Sequence, residues 1–264
     1  MQTFTMELIP FFTLVKREVK RFMKVLIQTV VSPIISNCLY LLVFGVSLGA
    51  SVQLKSGTPY LLFLVPGLMV MGLINNAFQN TSSSIVTSKF SGDLEDMRVA
   101  PITHNQIIWA MGVGGIIRGG TVALISGLVG GIFIYTKLDL IFVPAHPIWF
   151  LFFIIAGGLI FSFCGIFVAF LAKTFDQLSA FSTFILLPLT YLGGVFISIE
   201  NLHPVWQTIS HVNPLFYLIN GFRYAMIGES DVQVGVSAGI SFLFVVITFL
   251  MGRYSLLKGS FQRW

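Results

Sequence analysis

The sequence predicts an all-α membrane protein, with six transmembrane helices and an N-terminal amphipathic interfacial helix. Three observations carry this. Only 9% of the 264 residues are charged, against about 25% in soluble domains. Hydrophobic residues make up 56% of the chain, with 27 phenylalanines. Apolar runs recur at about 20 residues, the length that crosses a bilayer core as a helix. One membrane domain over residues 1–264 is the simplest organisation.

Residues 4–24 set Phe11, Phe12, Leu14, Val15 and Val19 against Lys16, Arg17, Lys20, Arg21 and Lys24. A helix with that pattern lies in the membrane interface, its cations near anionic lipid headgroups. Cations ahead of the first span place the N-terminus in the cytoplasm, and no cleavable signal peptide is expected. Spans follow at about 25–48, 60–83, 107–135, 148–172, 177–197 and 234–254. An even number returns the C-terminus to the cytoplasm. Eleven of the 15 cations then lie inside and three outside (Lys55, Lys137 and Arg223), with Arg118 left within a span. Such a bias is the positive-inside pattern, so the net charge of +5 gives no reason to expect a nucleic-acid partner.

The third span repeats small residues every four positions: Gly115, Gly119, Ala123, Gly127 and Gly131. Such a row lets another helix approach closely, and it winds round its own helix. It is read as tight packing, with a moving surface as the alternative. Arg118 lies in the same region without an acidic partner in any predicted span. Either it snorkels to the cytoplasmic edge, the favoured reading, or it lines a polar path. Asn75 and Asn76 in the second span serve a path or hydrogen bonds between helices.

Between the second and third spans, Asp93, Glu95 and Asp96 gather three of the ten acidic residues into four positions. In a short helix they would occupy the first turn, at the positive end of the dipole. Leu94 and Met97 form an apolar edge, Arg98 lies near the far end, and Pro101 stops the helix. The alternative is a solvated loop kept out of the bilayer by its charge. After the fifth span, Ile197–Gln233 is broken by turn residues. It reads as two short re-entrant helices, the second capped by Asn213 with Pro214 in its first turn.

Chemistry of an enzyme is absent from the pattern. There is no G-x-x-x-x-G-K-[ST] phosphate loop, and His104, His146, His203 and His211 lack metal-ligand spacing. Cys38 and Cys164 sit in apolar runs and read as unreactive thiols. No cofactor is expected. Secondary carriers depend on intramembrane carboxylates and repeated halves, which this sequence lacks.

Two stretches resemble the permease subunit of an ABC transporter of the type-2 exporter family. The stronger is "LPLTYLGGVFISIENLHPVWQTISHVNPLFYLINGFRY" at 187–224; the other is "FLVPGLMVMGLINNAF" leading into "SKFSGDLEDMRVAPIT". The resemblance covers nearly the whole chain and is closest to bacterial inner-membrane permeases encoded apart from their ATPase. It implies a homodimer joined by two copies of a cytoplasmic ABC-type ATPase, exporting a substrate at the expense of ATP. Gly92–Ala100 is then a cytoplasmic coupling helix seated in the ATPase. Asp93, Leu94, Glu95, Asp96, Met97 and Arg98 would carry the contact, with Lys89, Phe90 and the loop 172–177 as minor contributors. The short helices would shape an outer gate, with Trp206, Asn213, Pro214, Leu215, Phe216, Tyr217 and Arg223 as its candidate residues. Interface anchoring explains the aromatics equally well. A membrane scaffold or assembly factor and a secondary carrier are the competing function classes.

Overall fold

The computed structural model describes residues 2–47, 57–199 and 202–259. Lys55 and Arg263, used in the charge count, and the side chain of Arg98 lie outside the described set. Helix α1 (Gln2–Lys24) ends where Val25 leaves helical geometry, and α2 (Leu26–Tyr40) continues as a wider π-helical stretch through Leu41–Ser47. Helix α3 (Tyr60–Ser91) is 32 residues long, roughly 48 Å at the α-helical rise. It outruns the expected span because Ile85 and Val86 are buried, so packing carries the helix on where hydropathy declines.

Gly92, at φ +87°, ends α3 and starts α4 (Asp93–Val99). That left-handed turn suits glycine, which has no Cβ to clash. Thr103 and Gln106 form a reciprocal capping box at the start of α5 (His104–Leu138), satisfying two backbone N–H groups. Helix α6 (Pro147–Leu171) begins with proline in its first turn. Helix α7 (Phe175–Phe181) is capped by Thr174 and runs through a π-helical stretch, Ser182–Leu186, into α8 (Leu187–Leu192). Two short helices, α9 (Pro204–Val212) and α10 (Pro214–Ile227), precede α11 (Val234–Lys258).

Helix α3 forms the centre, packed on α5 and α6; α11 and α10 cover α6, and α1 and α2 lie against α5. The glycine row explains the α3–α5 contact. A Cβ at Gly119 would lie 2.7 Å from the Leu73 carbonyl oxygen, and one at Gly127 2.7 Å from the Met69 methyl. Gly115 faces Ser162 and Ala77, and Ala123 is fully buried. Gly131 has wound off this line and meets Phe142 at an ordinary 3.6 Å.

Among the described residues, five helical runs are long and apolar enough to cross a membrane: Leu26–Ser47, Tyr60–Ser91, His104–Leu138, Pro147–Leu171 and Val234–Lys258. Each matches an expected span. The run expected as the fifth, α7 through α8, is continuously helical over 175–192 but is not one of these five. Its first turn carries Asp176 and Gln177, and Pro188 lies near its end, which shortens the apolar part.

Candidate functional site

Helix α4 forms as expected over most of Gly92–Ala100, but its faces are assigned differently. Leu94 is fully buried and Met97 is 6% exposed, so the apolar edge expected to meet a partner turns into the chain's own bundle. The Met97 Sδ accepts a hydrogen bond from Arg17 at 3.6 Å, fixing α4 to α1. Asp93, Glu95 and Asp96 point outward, as does Val99. The extension of α3 provides the cover for Leu94, and linear spacing could not reveal that extension.

Lys89 also turns inward. Its Nζ donates to the Ala169 carbonyl at 3.0 Å and lies 4.6 Å from the Phe170 ring centroid, which removes it from the exposed surface. Phe90 is 40% exposed and stacks on Phe175, with centroids 5.9 Å apart. This stack sets the start of α7 beside the end of α3, the helix that leads into α4.

At the other end, the proposed gate residues divide between surface and interior. Trp206 is half exposed, whereas Leu215, Phe216 and Arg223 are buried. Asn213 caps α10 by accepting from the Leu215 N–H at 3.0 Å, and its Nδ2 donates to the Leu189 carbonyl at 2.6 Å. Pro214 opens α10, and the Tyr217 hydroxyl donates to the His211 carbonyl at 2.9 Å. Arg223, counted among outer loop cations, instead donates to the Gly194 carbonyl at 2.7 Å. The α5–α6 loop joins the same assembly: His146 stacks on Tyr224 and its N–H donates to the Ala225 carbonyl at 2.9 Å.

A feature that sequence reading missed lies between α1, α2, α3, α5 and α7. Glu18 of α1, read only as part of a basic helix, is 1% exposed. It accepts from Arg17 at 3.0 Å, Arg21 at 3.1 Å and Ser84 at 2.8 Å. Arg21 continues to Ser83 at 3.0 Å and to Asn80. Beside this network a cavity of about 780 Å³ opens, within the range of small-molecule sites. Gln28, Ser32 and Ser36 line it from α2, Asn75, Asn76 and Gln79 from α3, Ser179 and Ser182 from the α7 run. Arg118 also lines it, on the same cavity as Arg21 of α1. The signal was present in the sequence: Gln28, Ser32 and Ser36 recur every four residues, on the face next to exposed Ile27, Val31, Ile35 and Leu39.

Among the described residues no cluster of His, Cys, Asp and Glu could hold a metal ion. Comparison with known proteins matches residues 10–227 to the ABC-2 type transporter family. The inner membrane transport permease YadH of Escherichia coli (strain K12) is 39% identical over 238 residues, covering 89% of this chain and 90% of its own. Nodulation protein J of Rhizobium leguminosarum bv. viciae is 24% identical over 94% of this chain and 93% of its own. That of Neorhizobium galegae is 25% identical over 79% of each. With the helical bundle, the capped α9–α10 pair and these matches together, the chain belongs to the ABC-2 type transporter family.

Proposed function

We propose that this chain is the membrane-spanning permease subunit of an ATP-driven exporter in a bacterial inner membrane. In this reading it works as a homodimer with two copies of a separate ABC-type ATPase. The chain crosses the membrane six times, the α7–α8 run supplying the crossing beyond the five long apolar helices. Both termini are cytoplasmic, α1 lies along the inner interface among lipid headgroups, and the α9–α10 pair shapes the outer gate.

The observation that carries the reading is the disposition of α4. Leu94 and Met97 are anchored in the bundle while three carboxylates face outward. A helix held rigidly from behind and charged in front transmits a push from a partner to α3 and α1. Lys89, Leu94 and Met97 then position the coupling helix, and Asp93, Glu95, Asp96 and Phe90 make the contact.

The test is charge reversal of Asp93, Glu95 and Asp96 to lysine in the full chain, co-expressed with the ATPase from its own genome. The expected result is loss of ATPase co-purification and of transport-coupled hydrolysis, with a melting temperature lowered by only a few degrees, as loss of about 0.3–1 kcal/mol per charge at the helix N-terminus would give. Retained association and coupling in the reversed protein would overturn the assignment.

A further inference from the structure

The cavity between α1, α2, α3, α5 and α7 has an unbalanced charge. Arg118 and Arg21 line it, and among the described residues no carboxylate does. Arg21 is already matched, because Glu18 accepts from it at 3.1 Å. Glu18 is committed as well, to Arg17, Arg21 and Ser84. Arg118 is left as the surplus cation: its buried Nε has no hydrogen-bond partner among the described residues.

A cation at membrane depth is costly and is kept where it pairs or serves a path. Among the described residues no carboxylate pairs with Arg118 in this cavity. The rest of the wall mixes neutral hydrogen-bonding side chains with apolar ones, Val25, Pro33, Met71, Phe78, Phe175 and Leu178. Ile27, Val31, Ile35 and Leu39 of α2 lie exposed on the helix that carries Gln28, Ser32 and Ser36 into the cavity. One helix therefore offers a polar side to a headgroup and an apolar side to a hydrocarbon chain.

We propose that the cavity receives the anionic headgroup, phosphate or carboxylate, of an amphiphilic molecule, with Arg118 as its charge partner. The apolar part of the molecule stays at the rim along α2. This names a substrate class for the transport path and rests on the transport reading for that purpose. Binding itself requires no ATPase.

The test uses the full-length chain in nanodiscs of zwitterionic lipid, with radiolabelled dodecyl phosphate as probe. Saturable binding is expected, weakened about tenfold or more in Arg118→Gln and kept within about threefold in Arg118→Lys, as for loss and retention of a charge-assisted hydrogen bond. Asn76→Asp, which puts a carboxylate on the wall, should weaken binding similarly, and it serves if Arg118→Gln does not fold. Dodecyl maltoside, with the same chain and a neutral head, should compete poorly, and so should inorganic phosphate. Unchanged binding in both Arg118→Gln and Asn76→Asp would overturn the proposal. Equal competition by dodecyl maltoside would remove the anion, and equal competition by inorganic phosphate would remove the amphiphile. Because the assay contains no ATPase, its failure leaves the α4 experiment to decide the permease reading separately.

Discussion

The guanidinium of Arg223 lies over the Phe63 ring, 3.7 Å from its centroid, and joins α10 to the first turns of α3. The same side chain donates to the Gly194 carbonyl, so one cation ties together α3, α10 and the turn after α8. A buried cation gains from an aromatic face and a carbonyl only what it loses in hydration. We therefore expect Phe63→Leu, which leaves the cation less well housed, to cost more than Arg223→Met, which removes cost and gain together. A double-mutant cycle should give a coupling of about 1–2 kcal/mol, in the range of desolvated cation–π pairs. Denaturation in mixed micelles measures it, and a coupling near zero would make the stacking incidental.

Glu18 makes a second, sharper case. Its carboxylate holds two arginines and a serine hydroxyl while almost fully buried. Removing one partner of a buried pair costs about 3–5 kcal/mol. Arg17 and Arg21 are 37% and 29% exposed, so water screens part of this, and Glu18→Gln should cost about 2 kcal/mol. The loss should release α1 first, because α1 is held to α3 through this network. Limited proteolysis of the full chain should cut within α1 in Glu18→Gln before global unfolding. Simultaneous loss of all helices would show that α1 is not held separately.

Several of these contacts could not be read from the sequence, and the reasons are physical. Periodicity and length identified the apolar spans because each is dominated by transfer into lipid. Which face of a short helix turns inward depends on a neighbour, so spacing marks Leu94 and Met97 as an apolar edge without showing that this chain itself covers it. In the sequence Lys89 reads as a minor contact of the coupling region and Arg223 as an outer loop cation and gate residue. Both are buried because a carbonyl and an aromatic ring await them, Ala169 and Phe170 for one, Gly194 and Phe63 for the other. The glycine row was legible down to its drift, since helical geometry alone fixes that. The polar side of α2 was legible too, but only if serines and glutamine are given weight inside an apolar run.

That glycine row yields an ordering. At Gly119 an added Cβ meets the backbone carbonyl of Leu73, which cannot move aside. Gly119→Ala should cost about 1–3 kcal/mol by overpacking. At Gly127 the obstacle is the flexible end of Met69, so the cost should be smaller. At Gly131 the contact is ordinary, and alanine there should be neutral or gain up to about 1 kcal/mol of helix propensity. The order Gly119, Gly127, Gly131 in loss of melting temperature is the prediction. Equal losses at Gly119 and Gly131 would mean that the row does not set the α3–α5 approach.

Positioning and contact on α4 separate by the same logic. Leu94 is fully buried, and truncation of a buried leucine to alanine costs about 2–5 kcal/mol. Leu94→Ala should therefore loosen α4 and lower the melting temperature of the permease alone, before any ATPase is added. Asp96→Lys changes an outward side chain and should leave that melting temperature within about 1 °C, because surface substitutions seldom exceed about 0.5 kcal/mol. Both variants should impair coupled hydrolysis, but for different reasons. Leu94→Ala should keep partial ATPase affinity with poor coupling, since its carboxylates remain on a mobile helix. Asp96→Lys should lose affinity first and recover coupling when ATPase concentration is raised. Titration of the ATPase against each variant in proteoliposomes distinguishes them. The assignment of Leu94 as positioning and Asp96 as contact is reversed if Leu94→Ala is the one rescued by excess ATPase.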